Sequence, residues 1–234
     1  MIHSHSSPKN NTNFREIRMG KIPEGLLYRG AYPVLNTTYE RNYEQLVSDA
    51  HISCVLNLSD NESGLKRLAN LVPWYNRLLE NDCVRGLDIQ FDFDLMNKFE
   101  YELFNNKLRQ GFQFLITHNG PYLIHCQAGT DRTGLVVAIL GALLGASIDE
   151  IVHDYLLSYY EIIVDQTKLT TGKIILEQLN TIVNRAINDE NNFQSNIEKY
   201  FLEKIGLTAM ELDKLTGKFY KAIPASQNRG LGIC

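Results

Sequence analysis

The chain has 234 residues, 44% of them hydrophobic and 21% charged, with a net charge of −4. That length and mix exclude a disordered or fibrous chain, and predict a single domain that buries its own core without disulfide staples. A mildly acidic chain carries no broad basic surface, which excludes nucleic acid as a partner, because affinity for a polyanion rests on many phosphate contacts.

Residues 1–13 are polar, with His3 and His5 among Ser and Asn. They read as a frayed tail without the charged start and apolar centre of a signal peptide. Gly25 to Arg29 reads as a short strand, and Tyr43, Leu46, Val47 and Ala50 recur at helical spacing. Ile52 to Leu58 is a compact apolar run, as expected of a strand buried on both faces. Leu65 to Leu79 predicts a helix kinked at Pro73, and Ile89, Phe91 and Phe93 alternate with polar residues as in a half-buried strand. A long helix follows with Phe104, Leu108, Phe112 and Leu115 on one side, then a short strand, Tyr122 to His125. Thr133 to Leu144 is apolar around its whole circumference, so it predicts a central buried helix ended by Gly145. Three capping boxes, at Ser147/Glu150, Ser195/Glu198 and Thr208/Glu211, mark helix starts in the last third.

Strands alternating with helices, then helices alone, predict an α/β fold: a central, mostly parallel sheet flanked by helices, with a helical C-terminal extension from about residue 147. Residues 14–222 read as one domain and 223–234 as a tail. The longest apolar stretch, Leu135 to Leu144, falls short of the roughly 20 residues a membrane span needs. Cys54, Cys83, Cys126 and Cys234 are scattered, with neither zinc-site spacing nor a disulfide framework. This predicts a reducing compartment: the cytoplasm, or export by a route that leaves no signal peptide.

Residues 125–134 read His-Cys-Gln-Ala-Gly-Thr-Asp-Arg-Thr-Gly between a predicted buried strand and a predicted buried helix. That context aims the N–H groups of Gln127, Ala128, Gly129, Thr130, Asp131 and Arg132 toward one point, as an anion cradle. Gly129 permits the tight turn, and the planar guanidinium of Arg132 grips two phosphate oxygens. The same field favours the thiolate of Cys126, a strong nucleophile, over its thiol. The chemistry this predicts is attack of Cys126 on phosphorus, a phosphocysteine, and its hydrolysis, with Thr133 hydrogen-bonding the departing sulfur.

These residues resemble the signature of the protein tyrosine phosphatase superfamily, H-C-x-x-G-x-x-R-[ST]-G. The chain is most similar there to the bacterial atypical tyrosine and dual-specificity phosphatases. Asn13-Phe14-Arg15 and Leu27-Tyr-Arg-Gly30 resemble that group's N-terminal elements, and the segments around Tyr155 and from Ile197 to Leu215 resemble its C-terminal helices. The resemblance implies a phosphotyrosine protein or a phosphoinositide as substrate, no cofactor and no metal. It also implies a supporting role for His125 beside the nucleophile. Two positions depart from the pattern. The loop lysine of the group is Thr130, and its D-L-R strand end is Asn57-Leu58-Ser59; both remove charge, and the first weakens the case for lipid substrates.

Expulsion of an alcohol or phenol needs a proton donor, which later activates water. The resemblance implies two placements: Asp94 or Asp92, about thirty residues before the cysteine, or Asp131 just before the loop arginine. Each has a plainer reading, as a helix cap for Asp94, a solvated residue for Asp92 and an ion-pair partner of Arg132 for Asp131. Some relatives shield the nucleophile in a reversible disulfide, a part open here to Cys54 or Cys83, although Cys54 also reads as ordinary core. A phosphate-binding module without turnover is the rival from another class; an intact Cys126, Arg132 and Thr133 argue against it.

Overall fold

The computed structural model describes residues 12–33, 37–90, 98–158, 173–179, 181–182 and 193–220. Among them, strands β1 (Arg15–Glu16), β2 (Leu27–Gly30), β3 (Cys54–Asn57), β4 (Val84–Gly86) and β5 (Tyr122–His125) form one sheet in the order β1-β2-β5-β3-β4. β1 runs antiparallel to β2 and every other pairing is parallel. All residues of β3 and β5 are buried, which is why their sequences are continuous apolar runs rather than alternations.

Helices α1 (Thr37–Asp49), α2 (Glu62–Leu71) and α3 (Pro73–Glu80) contribute Tyr43, Val47, Leu65, Leu68, Trp74 and Tyr75 to a cluster on one face of the sheet. A larger cluster on the other face gathers α4 (Lys98–Thr117), α5 (Asp131–Leu143), α6 (Ile148–Leu157), α7 (173–179), α8 (Phe193–Lys199) and α9 (Ala209–Tyr220). The expected α/β class with a helical C-terminal cover is therefore what forms. From Thr133 to Leu143 every residue of α5 is buried. Phe104, Leu108, Phe112 and Leu115 of α4 are buried as predicted, and Phe112 packs at 4.9 Å on Phe201 of the π-helical turn Tyr200–Ile205. Among the described residues no helix is long and apolar enough to cross a membrane.

Two expectations are corrected, and one strand is added. The predicted kinked helix is two helices, because Val72 is extended and Pro73, which has no N–H to give, opens the second. A strand that the sequence did not announce, Val84–Gly86, pairs with β3; of the expected alternating strand, Ile89 N donates to Leu58 O at 2.8 Å, while Phe91 and Phe93 lie outside the described residues. Ser195 sits inside α8, which already begins at Phe193, so it caps nothing. The other two capping boxes form, with Glu150 N donating to Ser147 Oγ at 3.2 Å and Glu211 N to Thr208 Oγ1 at 3.2 Å.

Register then fixes where chemistry can occur. Gly30 and Asn57 both stand level with His125, so three strands end together and the loop leaves β5 at their carboxyl edge. That edge is where open α/β sheets place their ligands.

Candidate active site

The loop runs from Cys126, buried at the end of β5, to Arg132 in the first turn of α5. Its shape is set from outside by groups that take its carbonyls. Tyr32 N donates to Gln127 O at 3.0 Å, and Asn13 Nδ2 to Ala128 O at 3.2 Å. Arg29 Nη2 donates to Gly129 O at 2.7 Å and to Thr130 O at 3.1 Å, while Gly134 N closes the first helical turn on Thr130 O at 2.7 Å. In a trans peptide the N–H points opposite to the C=O. Four consecutive carbonyls engaged on the outer side therefore turn the amides of Ala128, Gly129, Thr130 and Asp131 inward, as an anion nest at a helix N-terminus requires. Gly129 carries a φ of +71°, and a Cβ there would run into the backbone of Gly30.

Arg29 is the centre of this brace. Its side chain is fully buried and ion-paired with Asp154 of α6, whose other oxygen accepts from Arg15 Nε at 3.1 Å. Arg15 also donates to Asp154 O at 2.7 Å and to Ser158 Oγ at 2.9 Å. Burial and then the neighbouring Arg29 pull Arg15 down to about 10, against the opposing pull of Asp154. One carboxylate between two guanidiniums leaves net positive charge behind the loop, on the side away from the inward amides.

Arg132 is half-buried and its guanidinium donates through Nη1 to Ile89 O at 2.9 Å, its one side-chain hydrogen bond among the described residues. Thr133 Oγ1 is buried without a hydrogen-bond partner, so the expected bond to the Cys126 sulfur is not formed in this structure. Asp131 is exposed at the start of α5 and accepts from the Tyr155 hydroxyl at 3.3 Å. Asp92 and Asp94 lie outside the described residues.

His125 is fully buried between Tyr75, whose hydroxyl lies 3.4 Å from Nε2, and the Cys126 carbonyl, 3.4 Å from Nδ1. Burial pulls its pKa down to about 4, so the ring is neutral at pH 7. The two departures from the signature group each have a local reason. Asn57 Nδ2 donates to Asp60 Oδ2 at 2.9 Å and to the Tyr75 hydroxyl at 3.0 Å, and its Oδ1 accepts from Ser59 N and Asp60 N. An aspartate there has no proton to give Asp60. Thr130 is buried with its hydroxyl 3.5 Å from Asn13 Nδ2, so it ties the loop to the N-terminal segment and puts no cation at the mouth.

A cysteine at the end of a parallel strand, carbonyls turned out, an arginine six residues on in the first turn of a helix: the family model described as the tyrosine phosphatase family matches residues 11–221. The chain belongs to the tyrosine phosphatase family. It is a cysteine-based phosphatase. Among solved structures, the core catalytic domain of the PP-IP phosphatase SIW14 from S. cerevisiae, in complex with citrate, is 17% identical over 77% of this chain and 93% of that one, with a TM-score of 0.44. TpbA from P. aeruginosa is 18% identical over 73% of this chain and 99% of its own, with a TM-score of 0.37. No curated protein matches the chain at significant similarity.

In this phosphatase the sequence marks the loop and misses most of what shapes it. Tyr32 and Asp154 carried no signal as single residues, since their partners are 95 and 125 positions away in the chain, and Asn13 was visible only as part of an element resembling the family's, its partner lying 115 positions away. Arg15 and Arg29 were visible only through the resemblance of their surroundings.

Proposed function

We propose that this phosphatase hydrolyses phosphate monoesters of the phosphotyrosine type through a phosphocysteine on Cys126. The observation that carries the reading is the set of four loop carbonyls bonded outward, which leaves the loop amides directed at the space in front of the sulfur. A phosphoryl group seated there has its three equatorial oxygens on backbone N–H groups and the Arg132 guanidinium, donors fixed before the reaction begins. The Cys126 sulfur attacks phosphorus in line with the ester oxygen; the S–P bond forms as the P–O bond breaks. An aspartic acid, Asp131 or Asp94, gives its proton to the departing oxygen, and the resulting carboxylate then takes a proton from the water that attacks phosphorus. The S–P bond breaks and Cys126 returns as thiolate, with the buried Thr133 hydroxyl available to donate to it.

Neutral His125 serves this cycle by packing and hydrogen bonding beneath the loop rather than by charge. Thr130 in the position of the group's lysine favours singly phosphorylated aryl or alkyl esters over densely charged headgroups. The test is a direct comparison of kcat/KM on a phosphotyrosine peptide and on a phosphoinositide presented in vesicles. The expected result is a peptide preference of about tenfold or more, the worth of one charge contact. A preference of the same size for the lipid selects the phosphoinositide reading.

A further inference from the structure

The cysteines that the catalytic loop does not use meet at the opposite end of the sheet. Val55 pairs with Val84 across the parallel β3–β4 ladder, so Cys54 and Cys83, one residue before each, stand side by side. Val55 N donates to Cys83 O at 2.9 Å, which holds that register. Opposite residues in a parallel pair point to the same face, and buried Cys54 lies in the apolar cluster against which the partly buried Cys83 packs. Neighbouring strands run roughly 4.8 Å apart, inside the Cα separation a disulfide accepts. Both thiols are free here.

The same register separates the pair from the nucleophile. Cys54 stands opposite Tyr122, and four residues of β5 then lead to Cys126, about 13 Å at strand rise. Shielding of Cys126 by Cys54, one expectation of the resemblance, is thereby excluded in this fold.

We propose that Cys54 and Cys83 form a second redox site, a dithiol that closes to an intramolecular disulfide on contact with a peroxide or a small disulfide, independently of Cys126. The two thiols have different parts in it. Cys54 is buried, donates to Asn119 O at 3.3 Å, and has its pKa pushed up to about 12 by that burial and by Cys83. Cys83 is partly exposed and so is the one an oxidant reaches. With hydrogen peroxide, the Cys83 sulfur attacks one oxygen, the O–O bond breaks, and Cys83 sulfenic acid and water form. The Cys54 sulfur then displaces the sulfenic hydroxyl, its proton leaving with that oxygen as a second water. Two thiols are oxidised to one disulfide and the peroxide is reduced to two waters. Lys218, whose ammonium lies 3.3 Å from Asn119 Oδ1 and near Cys54, steadies the negative charge that Cys54 develops as it gives up its proton.

The experiment uses the full chain carrying Cys126→Ser and Cys234→Ser, exposed to oxidised glutathione, quenched by alkylation and mapped by mass spectrometry. The expected result is a loss of about 2 Da, a Cys54–Cys83 linked peptide, and full reversal by a reducing thiol. Adding Cys83→Ser is expected to leave Cys54 reduced under the same treatment. A lasting glutathione adduct on Cys83 with Cys54 still a thiol overturns the proposal, and so does a peptide linking Cys126 to either cysteine when the wild-type chain is oxidised.

Discussion

Cys126 and Cys54 sit on neighbouring strands of the same sheet, both buried, and differ in which end of the sheet they occupy. At the carboxyl end, Cys126 is followed by a loop whose amides turn inward and by the start of α5. At the amino end, Cys54 meets the Asn119 carbonyl and apolar side chains beside Cys83 on the next strand, and its proton is held more tightly than in an ordinary thiol. On the proposed reading, the residue type is therefore not what makes Cys126 the nucleophile. Backbone polarity does: parallel strands deliver the chain into helix N-termini at one edge and receive it from carbonyl-rich turns at the other. The surroundings of Cys126 are held in place by Arg29, a cation with no part in binding phosphate.

The largest expected effect concerns the proposed proton donor. Of Asp131→Asn and Asp94→Asn, the one that removes the acid is expected to lower kcat by about 10²–10⁴ on an alkyl phosphate and far less on an activated aryl phosphate. Equal, small losses in both variants on both substrates show that the donor lies elsewhere.

Next comes the brace. Arg29→Lys keeps the charge but cannot reach Gly129 O, Thr130 O and Asp154 together. It is expected to lower kcat by about 10² and weaken inhibition by vanadate, since small displacements of a positioned group cost that much. Asp154→Asn, which leaves the bonds to the loop, is expected to do less. If both variants lose thermal stability while kcat and vanadate affinity per folded molecule stay unchanged, Arg29 supports the fold and not the loop.

A smaller effect reads out through pH. His125 is held near 4 in the folded chain against about 6.5 unfolded, so the unfolded state binds the extra proton between those values. Stability from this group is present above about 6.5 and lost as pH falls toward 4, by about 3 kcal/mol in all. His125→Asn is expected to flatten the urea-unfolding midpoint over that range relative to wild type. Parallel curves for the two proteins mean that His125 titrates normally.

The two ends of the sheet were unequally legible in the sequence. Tyr122 to His125 and the fully apolar α5 declared themselves by composition, because an element buried on every side has no room for polar residues. The loop between them was readable because its chemistry needs a glycine, a cysteine and an arginine at fixed spacing. β4 escaped, since a three-residue edge strand reading Val-Arg-Gly is too short to show a period. The Arg15–Asp154–Arg29 cluster escaped for another reason: an ion pair between residues 125 positions apart leaves no local pattern, and a buried arginine looks like any surface arginine until its partners are known. Ser195/Glu198 shows the opposite failure, a capping pattern overridden because the helix already starts two residues earlier at Phe193.

The most direct test of the central claim is rapid-quench hydrolysis of a radiolabelled aryl phosphate, with chelator present, comparing wild type, Cys126→Ser and Cys54→Ala. The account predicts a burst of label on wild type that maps to Cys126, none on Cys126→Ser together with a turnover loss on the order of 10³ or more, and a Cys54→Ala enzyme within about twofold of wild type. Turnover that survives Cys126→Ser, or label trapped on any other residue, contradicts it.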